Sequence, residues 1–243
     1  MTDLLETIPL SKLLFAFVPV LFVVVIIWKW QLGYKNSIYA ISRMLLQLLL
    51  IGYVLAYIFE TNSSLVVIAV LSIMLFASSW IALTSLELPR RVLLSKSFTA
   101  IFLSGSLVLS IISQGVLDLQ PWYEASVIIP LAGMVFASAM NSVSLAGERL
   151  KAELDRNVEY DVARNIAMRT SLIPITNSLF AVGLVSLPGM MTGQILAGVS
   201  PLVAARYQIM VMCMLFGAAG IASALFLVLV KPYFQNKRTA IND

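Results

Sequence analysis

The stretch LVSLPGMMTGQILAG, from Leu184 to Gly198, decides how this chain folds. It sets a Pro-Gly pair and a Gly189/Gly193 repeat inside an apolar run long enough to cross a membrane. Proline at 188 lacks a backbone N–H and clashes with the preceding turn, while glycine at 189 leaves helical geometry at little cost. A helix through this run must break. In hydrocarbon such a break survives only where protein or a water-filled cavity surrounds it. Pro188 and Gly189, with Met190, Met191, Gly193 and Gln194 just beyond, are therefore expected at a gate or on a translocation path.

Outward from this stretch the composition is that of a polytopic membrane protein. Of 243 residues, 60% are hydrophobic and only 12% are charged, against roughly 25% charged in soluble domains. The chain has no histidine, which excludes imidazole metal sites and histidine base catalysis. Its single cysteine, Cys213, excludes an internal disulfide. The net charge of +4 calls for no nucleic-acid partner, because the cations gather at the ends of apolar runs.

Runs of about 20 apolar residues span a ~30 Å hydrocarbon core. They occur at Leu10 to Trp28, Ile38 to Phe59, Leu65 to Leu83, Phe98 to Leu117, Ala125 to Leu145, Leu179 to Val199 and Tyr207 to Val230. The expected fold is all-α, a single permease domain over 1–243 with about seven transmembrane helices. Asp3 and Glu6 precede Lys12, the wrong charge order for a secretory signal, so the first span is expected to be retained. Of the 16 cations only Lys12 and Arg206 fall on one side of this arrangement, whereas Lys237 and Arg238 close the other. The excess places the N-terminus outside and the C-terminus in the cytoplasm.

One connection is long and charged, residues 146–177. Arg149/Glu153 and Lys151/Asp155 stand four apart, and no Gly or Pro interrupts Glu148 to Arg169, so this part reads as one helix. Leu150, Leu154, Val158, Val162 and Ile166 recur every four residues as an apolar stripe. Opposite it stand Glu148, Arg149, Glu153 and Arg156. The segment is either a solvated extension of the flanking spans or a docking helix for a cytoplasmic partner.

No Asp or Glu falls at the centre of a span; Glu60, Glu87, Asp118 and Glu124 lie at ends or in loops. This counts against a proton-coupled carrier, whose midplane carboxylate is retained at high cost. With no Gly-Lys pair the chain has no phosphate-binding loop, and it is not expected to hydrolyse ATP itself. Gln47, Asn141 and Gln194 are polar groups ill suited to face lipid; they either line a path or hydrogen-bond between helices. Met190 and Met191 offer thioethers, but ferrous iron prefers nitrogen and oxygen, so no metal site is assigned. Gly189, Gly193 and Ala197 make a small-residue ridge suited to close packing, including homodimer packing.

LVSLPGMMTGQILAG, followed by Arg206-Tyr207-Gln208-Ile209-Met210-Val211, closely resembles the FetB family of ABC permeases. Arg43 with Gln47 and Leu48, Gly52-Tyr53-Val54-Leu55, Ile129 to Met134 and Leu172-Ile173-Pro174 carry the same likeness. The resemblance implies a permease subunit in the bacterial inner membrane, paired with a FetA-type ATPase that holds ATP-Mg, and associated with iron export. Plant relatives are linked to aluminium tolerance. This chain would bind no cofactor, would pack as a homodimer, and would use residues 148–162 to couple to the ATPase. Family members carry a Leu-Gly-Ala turn in the cytoplasmic segment, where this chain has no glycine between Gly147 and Gly183. The alternatives are a non-ABC membrane scaffold that binds a regulator, and a secondary carrier.

Overall fold

The helix entering the Pro-Gly run stops at Ala181, seven residues before Pro188. A computed structural model describes residues 9–60, 63–84, 86 and 90–234. Asp3, Glu6, Glu87, Lys237 and Arg238 lie outside the described residues. The helices are α1 (Leu10–Leu13), α2 (Phe17–Lys29), α3 (Tyr34–Glu60), α4 (Ser64–Ala82), α5 (Arg90–Ser110), α6 (Ala125–Asp155), α7 (Tyr160–Ala181), α8 (Gly189–Leu196) and α9 (Pro201–Leu229). A short 3₁₀ turn, Leu14–Ala16, joins α1 to α2, and a π-helical turn, Ile111–Val116, extends α5.

The fold is all-α, and among the described residues five helical stretches are long and apolar enough to cross a membrane. They are Ser11–Lys29, Ser64–Ala82, Arg90–Val116, Ala125–Asp155 and Pro201–Phe234. The run Leu179 to Val199, expected as one span, is not one helix. After Ala181 the chain turns at Gly183, whose φ of +84° suits a residue without Cβ. The Ala181 carbonyl then accepts from the N–H groups of Leu184, Val185 and Ser186 at 3.2, 2.8 and 3.2 Å. This pays the backbone's hydrogen-bonding requirement locally, as a break in an apolar setting demands. Pro188 is the N-cap of α8 rather than a kink within a helix, with φ −61° and ψ 146°.

The second correction concerns residues 148–169, which are not one helix. α6 runs to Asp155, the chain reverses over Arg156–Glu159, and α7 begins at Tyr160. Asn157 sits at φ +63°. Its N–H reaches the Leu154 carbonyl at 3.0 Å, and the Val158 N–H reaches the Glu153 carbonyl at 3.2 Å, the paired bonds of a Schellman helix stop. Asparagine tolerates this left-handed conformation, so it fills the place usually taken by glycine. The apolar stripe divides accordingly: Leu150 is fully buried, Leu154 and Val158 are half-buried, and Val162 on the next helix is exposed.

The chain divides into two units, 1–60 and 61–243. In the first, α2 packs against α3, and no residue of α2 is buried. Its many exposed Leu, Val, Ile and Phe side chains form the surface expected of helices in lipid.

In the second unit α6 is the central helix, packed against α4, α5, α7 and α9. Val135, Ala139, Val143, Ala146 and Leu150 recur three or four residues apart along it and are completely buried. The helices approach closely where a glycine leaves room for a large side chain of a neighbour. A Cβ on Gly105 would stand 2.6 Å from Phe136 Cε1, and one on Gly147 would stand 2.9 Å from Leu86 Cδ1.

Serine hydroxyls add directional ties between helices. Ser97 donates to the Ser79 carbonyl (3.2 Å), Ser104 to Ala218 (2.9 Å), Ser138 to Leu215 (3.1 Å) and Ser142 to Ser171 (3.0 Å). Each such bond between membrane helices contributes about 0.6 kcal/mol. Together they fix which faces meet, a task that apolar contact with lipid-like partners does poorly.

Candidate functional site: two adjoining cavities and a clamped turn

Two proline-bearing helices shape the interior of the second unit. Pro174 lies within α7 and Pro130 within α6. Neither can donate to the carbonyl four residues earlier, so Thr170 and Ser126 lose a helical partner. Each proline lines a cavity.

The first cavity, about 360 Å³, lies among α6, α7 and α9. Its polar wall is Ser138, Asn141, Ser142, Ser171 and Ser178, and its apolar wall includes Met134, Ile175 and Leu215. The second, about 460 Å³, is lined by Leu117 just after the π turn, by Ser126, Pro130 and Met134 of α6, by Met190 and Gln194 of α8, and by Tyr207 and Met210 of α9. Met134 borders both. Neither wall contains a charged side chain.

The structure brings together only some of the residues singled out from sequence. Met190 and Gln194 share the second cavity, and the Gln194 side-chain oxygen is buried without a hydrogen-bond partner. Asn141 borders the first. Pro188 and Gly189 start α8, Met191 is half-buried, and neither Met191 nor Gly193 lines either cavity. Among the described residues, a Cβ at Gly189 or Gly193 would meet no atom within 4 Å, so the two glycines of the expected ridge have no close packing partner there. Gln47 belongs to the N-terminal unit and is exposed on α3.

Sequence reasoning missed the four serines of the first cavity, as well as Met134, Tyr207 and Met210. A signal existed in the i,i+4 pair Ser138/Ser142 and the i,i+7 pair Ser171/Ser178, which place hydroxyls on one face of each helix. Serine is too common in membrane helices for that spacing alone to mark a site.

At the far end of α6 and α7 from α8 the charged residues organise the turn. The buried Glu153 carboxylate pairs with Arg149 and, at 3.7 Å, with Arg156. Lys151 pairs with Asp155 at 3.1 Å. Asp161 receives both Arg164 and Lys231 at 3.1 Å. Beside them Tyr160 donates its hydroxyl to the Leu227 carbonyl, and the Lys231 ammonium stands 5.5 Å from the Tyr160 ring centroid. Tyr160 lies in the charged extension beyond the apolar part of the bundle. Burial pushes its phenol up to about 12, against a lowering by Arg164 and a further rise from Asp161, so it remains a donor at neutral pH. Glu148, Asp155 and Arg156 are left on the surface. Two helices and the end of α9 are thus clamped into one charged tip.

Among the described residues no group of three or more Cys, Asp or Glu side chains could hold a metal ion. The cavities instead offer hydroxyls, amides, thioethers and freed backbone carbonyls. That donor set suits solvated or neutral solutes better than a bare ion.

Comparison with known proteins agrees with this architecture. A family model described as "Uncharacterised protein family (UPF0014)" matches residues 10–234. A UPF0014 membrane protein of Synechocystis is 40% identical over 195 residues, covering 72% of this chain and 73% of the relative. The "Probable iron export permease protein FetB" of Escherichia coli is 31% identical over 220 residues, 84% of this chain and 83% of that protein. "Protein ALUMINUM SENSITIVE 3" of Arabidopsis thaliana is 32% identical over 239 residues, 91% of this chain and 86% of that protein. No solved structure matches the chain. With matching sequence from α1 through α9 and an all-α, multi-span architecture, the chain is a multi-pass membrane protein that belongs to the UPF0014 family.

Proposed function

We propose that this chain is the permease subunit of an ABC transporter that exports a metal ion or metal-linked solute, with ATP hydrolysed by a separate FetA-like subunit. The observation that carries this reading is its kinship, over more than four-fifths of both chains, with a protein named as a probable iron export permease. The charged tip supports it. An ATPase needs a rigid handle on the membrane subunit, and the turn at Arg156–Glu159 is stapled to α9 through Asp161, Lys231 and Tyr160. Displacement of the tip would travel along α7, 22 residues and so about 33 Å long, to the break after Ala181 and on to α8.

In this arrangement α3 and α7 join the five apolar stretches to give seven crossings, with the N-terminus outside and the tip in the cytoplasm of a bacterial cell. α8 then lies toward the outer end, beside the start of α6. Two copies of the chain would face one pair of ATPases, and Gly189 and Gly193, where a Cβ would meet no atom of the described residues within 4 Å, are free to pack across the dimer.

The test is reconstitution of the full chain with a FetA-like ATPase in proteoliposomes, following ATP turnover and Fe²⁺ movement together. Metal-stimulated hydrolysis with net efflux supports the assignment. An ATPase that neither binds the chain nor changes its turnover refutes it.

A further inference from the structure

The first cavity has a property that its residue types alone do not reveal: the described hydroxyl protons in its wall are all committed. Ser138 donates to Leu215, Ser142 to Ser171, Ser171 to Met168 at 2.9 Å and Ser178 to Pro174 at 3.0 Å, each to a backbone carbonyl. A serine that donates its one proton still has oxygen lone pairs to offer. The wall therefore presents acceptors, with Asn141 as its only amide.

No carboxylate or other charge lies in this wall. A bare divalent cation placed there would lose its hydration with nothing of opposite charge to replace it, a cost that ordinarily drives buried ions to be paired. A cation that keeps its first water shell pays less of that cost, because its charge is spread over a larger radius and its coordinated waters are strong donors pointing outward. Six waters at about 30 Å³ each need roughly 180 Å³, and the cavity holds about 360 Å³. The shell fits with room to tumble, which favours passage over tight retention.

We propose that the cavity among α6, α7 and α9 binds a divalent cation by outer-sphere contact, the serine oxygens and Asn141 accepting hydrogen bonds from the cation's retained waters. The inference rests on the metal-export reading and specifies how that cargo is held. It assigns recognition to the hydration shell, and selectivity then follows hydrated size and charge rather than ligand softness.

The probe is hexaamminecobalt(III), whose ammine ligands do not exchange and which therefore binds only through outward N–H donors. Titrated onto the full chain in nanodiscs of neutral phosphatidylcholine at physiological ionic strength, it is expected to bind and to displace Mn²⁺. Asn141→Leu combined with Ser178→Ala, both at exposed positions, is expected to weaken both probes at least tenfold while thermal unfolding of the chain stays close to the parent's. Ser178→Asp introduces an inner-sphere ligand and should tighten Mn²⁺ more than hexaamminecobalt. Binding of Mn²⁺ without hexaamminecobalt, binding of neither, or affinities that ignore all three substitutions overturns the proposal. These titrations need no ATPase. A chain that exports Fe²⁺ in the reconstituted system but ignores hexaamminecobalt sinks only this inference, whereas absence of ATPase coupling sinks the functional reading.

Discussion

Lys231, just past α9, places its ammonium 3.1 Å from the Asp161 carboxylate in the first turn of α7, joining residues 70 positions apart. Both side chains are partly exposed, so the pair itself contributes little, on the order of 0–1 kcal/mol, and less at high salt. Its value lies in geometry. Asp161→Asn is expected to lower thermal stability only slightly, yet to uncouple movement of the tip from α9. ATPase turnover without matching transport in the reconstituted system would register that loss; tightly coupled transport would show the clamp to be dispensable.

Asn157→Ala should destabilise the chain by about 1 kcal/mol, because alanine gains no local hydrogen bond to offset the left-handed conformation. Asn157→Gly should match or exceed the parent. Thermal unfolding of the three proteins in one detergent checks the order, and equal stabilities for alanine and glycine would contradict the helix stop described above.

Gly105→Ala drives a methyl into the Phe136 ring and is expected to cost about 1–3 kcal/mol through overpacking. Gly193→Ala meets no neighbour among the described residues and should leave the monomer's unfolding unchanged. If the latter substitution instead disrupts dimers seen by cross-linking, the small-residue ridge of α8 serves the interface between copies.

Tyr160→Phe removes the bond to the Leu227 carbonyl and should cost about 1 kcal/mol. The parent's phenol titrates near 12 when folded and near 10 when unfolded. Its contribution is complete below pH 10 and declines as pH rises from 10 to about 12, because the unfolded chain ionises first. Parent and variant stabilities, measured across that range, should converge and then cross, since a rise of about two pKa units outweighs a bond of about 1 kcal/mol.

Charge reversal at Arg156, a cation 69% exposed at the tip, should reduce co-purification with the ATPase several-fold without altering the fold. Unchanged recovery of the complex would move the docking surface elsewhere.

Which parts of this molecule were legible in its sequence follows from the range of the forces involved. The all-α, multi-span class was readable because apolar runs of membrane length respond to the solvent, and each run does so alone. The ion pairs Arg149/Glu153 and Lys151/Asp155 were readable because a helix fixes neighbours four residues apart. That the Pro-Gly run breaks was also a local signal, carried by the pair rather than by proline alone, since α6 and α7 continue through Pro130 and Pro174.

Tertiary structure decided the rest. Where the break falls depended on the Ala181 carbonyl gathering three N–H groups from a turn made possible by Gly183, and no pattern in the sequence marked that choice. The reversal at Asn157 was hidden because asparagine is permitted rather than required to adopt positive φ; packing of α7 back against α6 and α9 selects it. The cavities were hidden for a further reason. A cavity is the space left when helices distant in sequence cross, and the four serines acquire a common chemistry only because each hydroxyl finds a carbonyl on its own helix or a neighbouring one. Sequence determined what each segment could bury; only the crossing of α6, α7 and α9 determined what it left open.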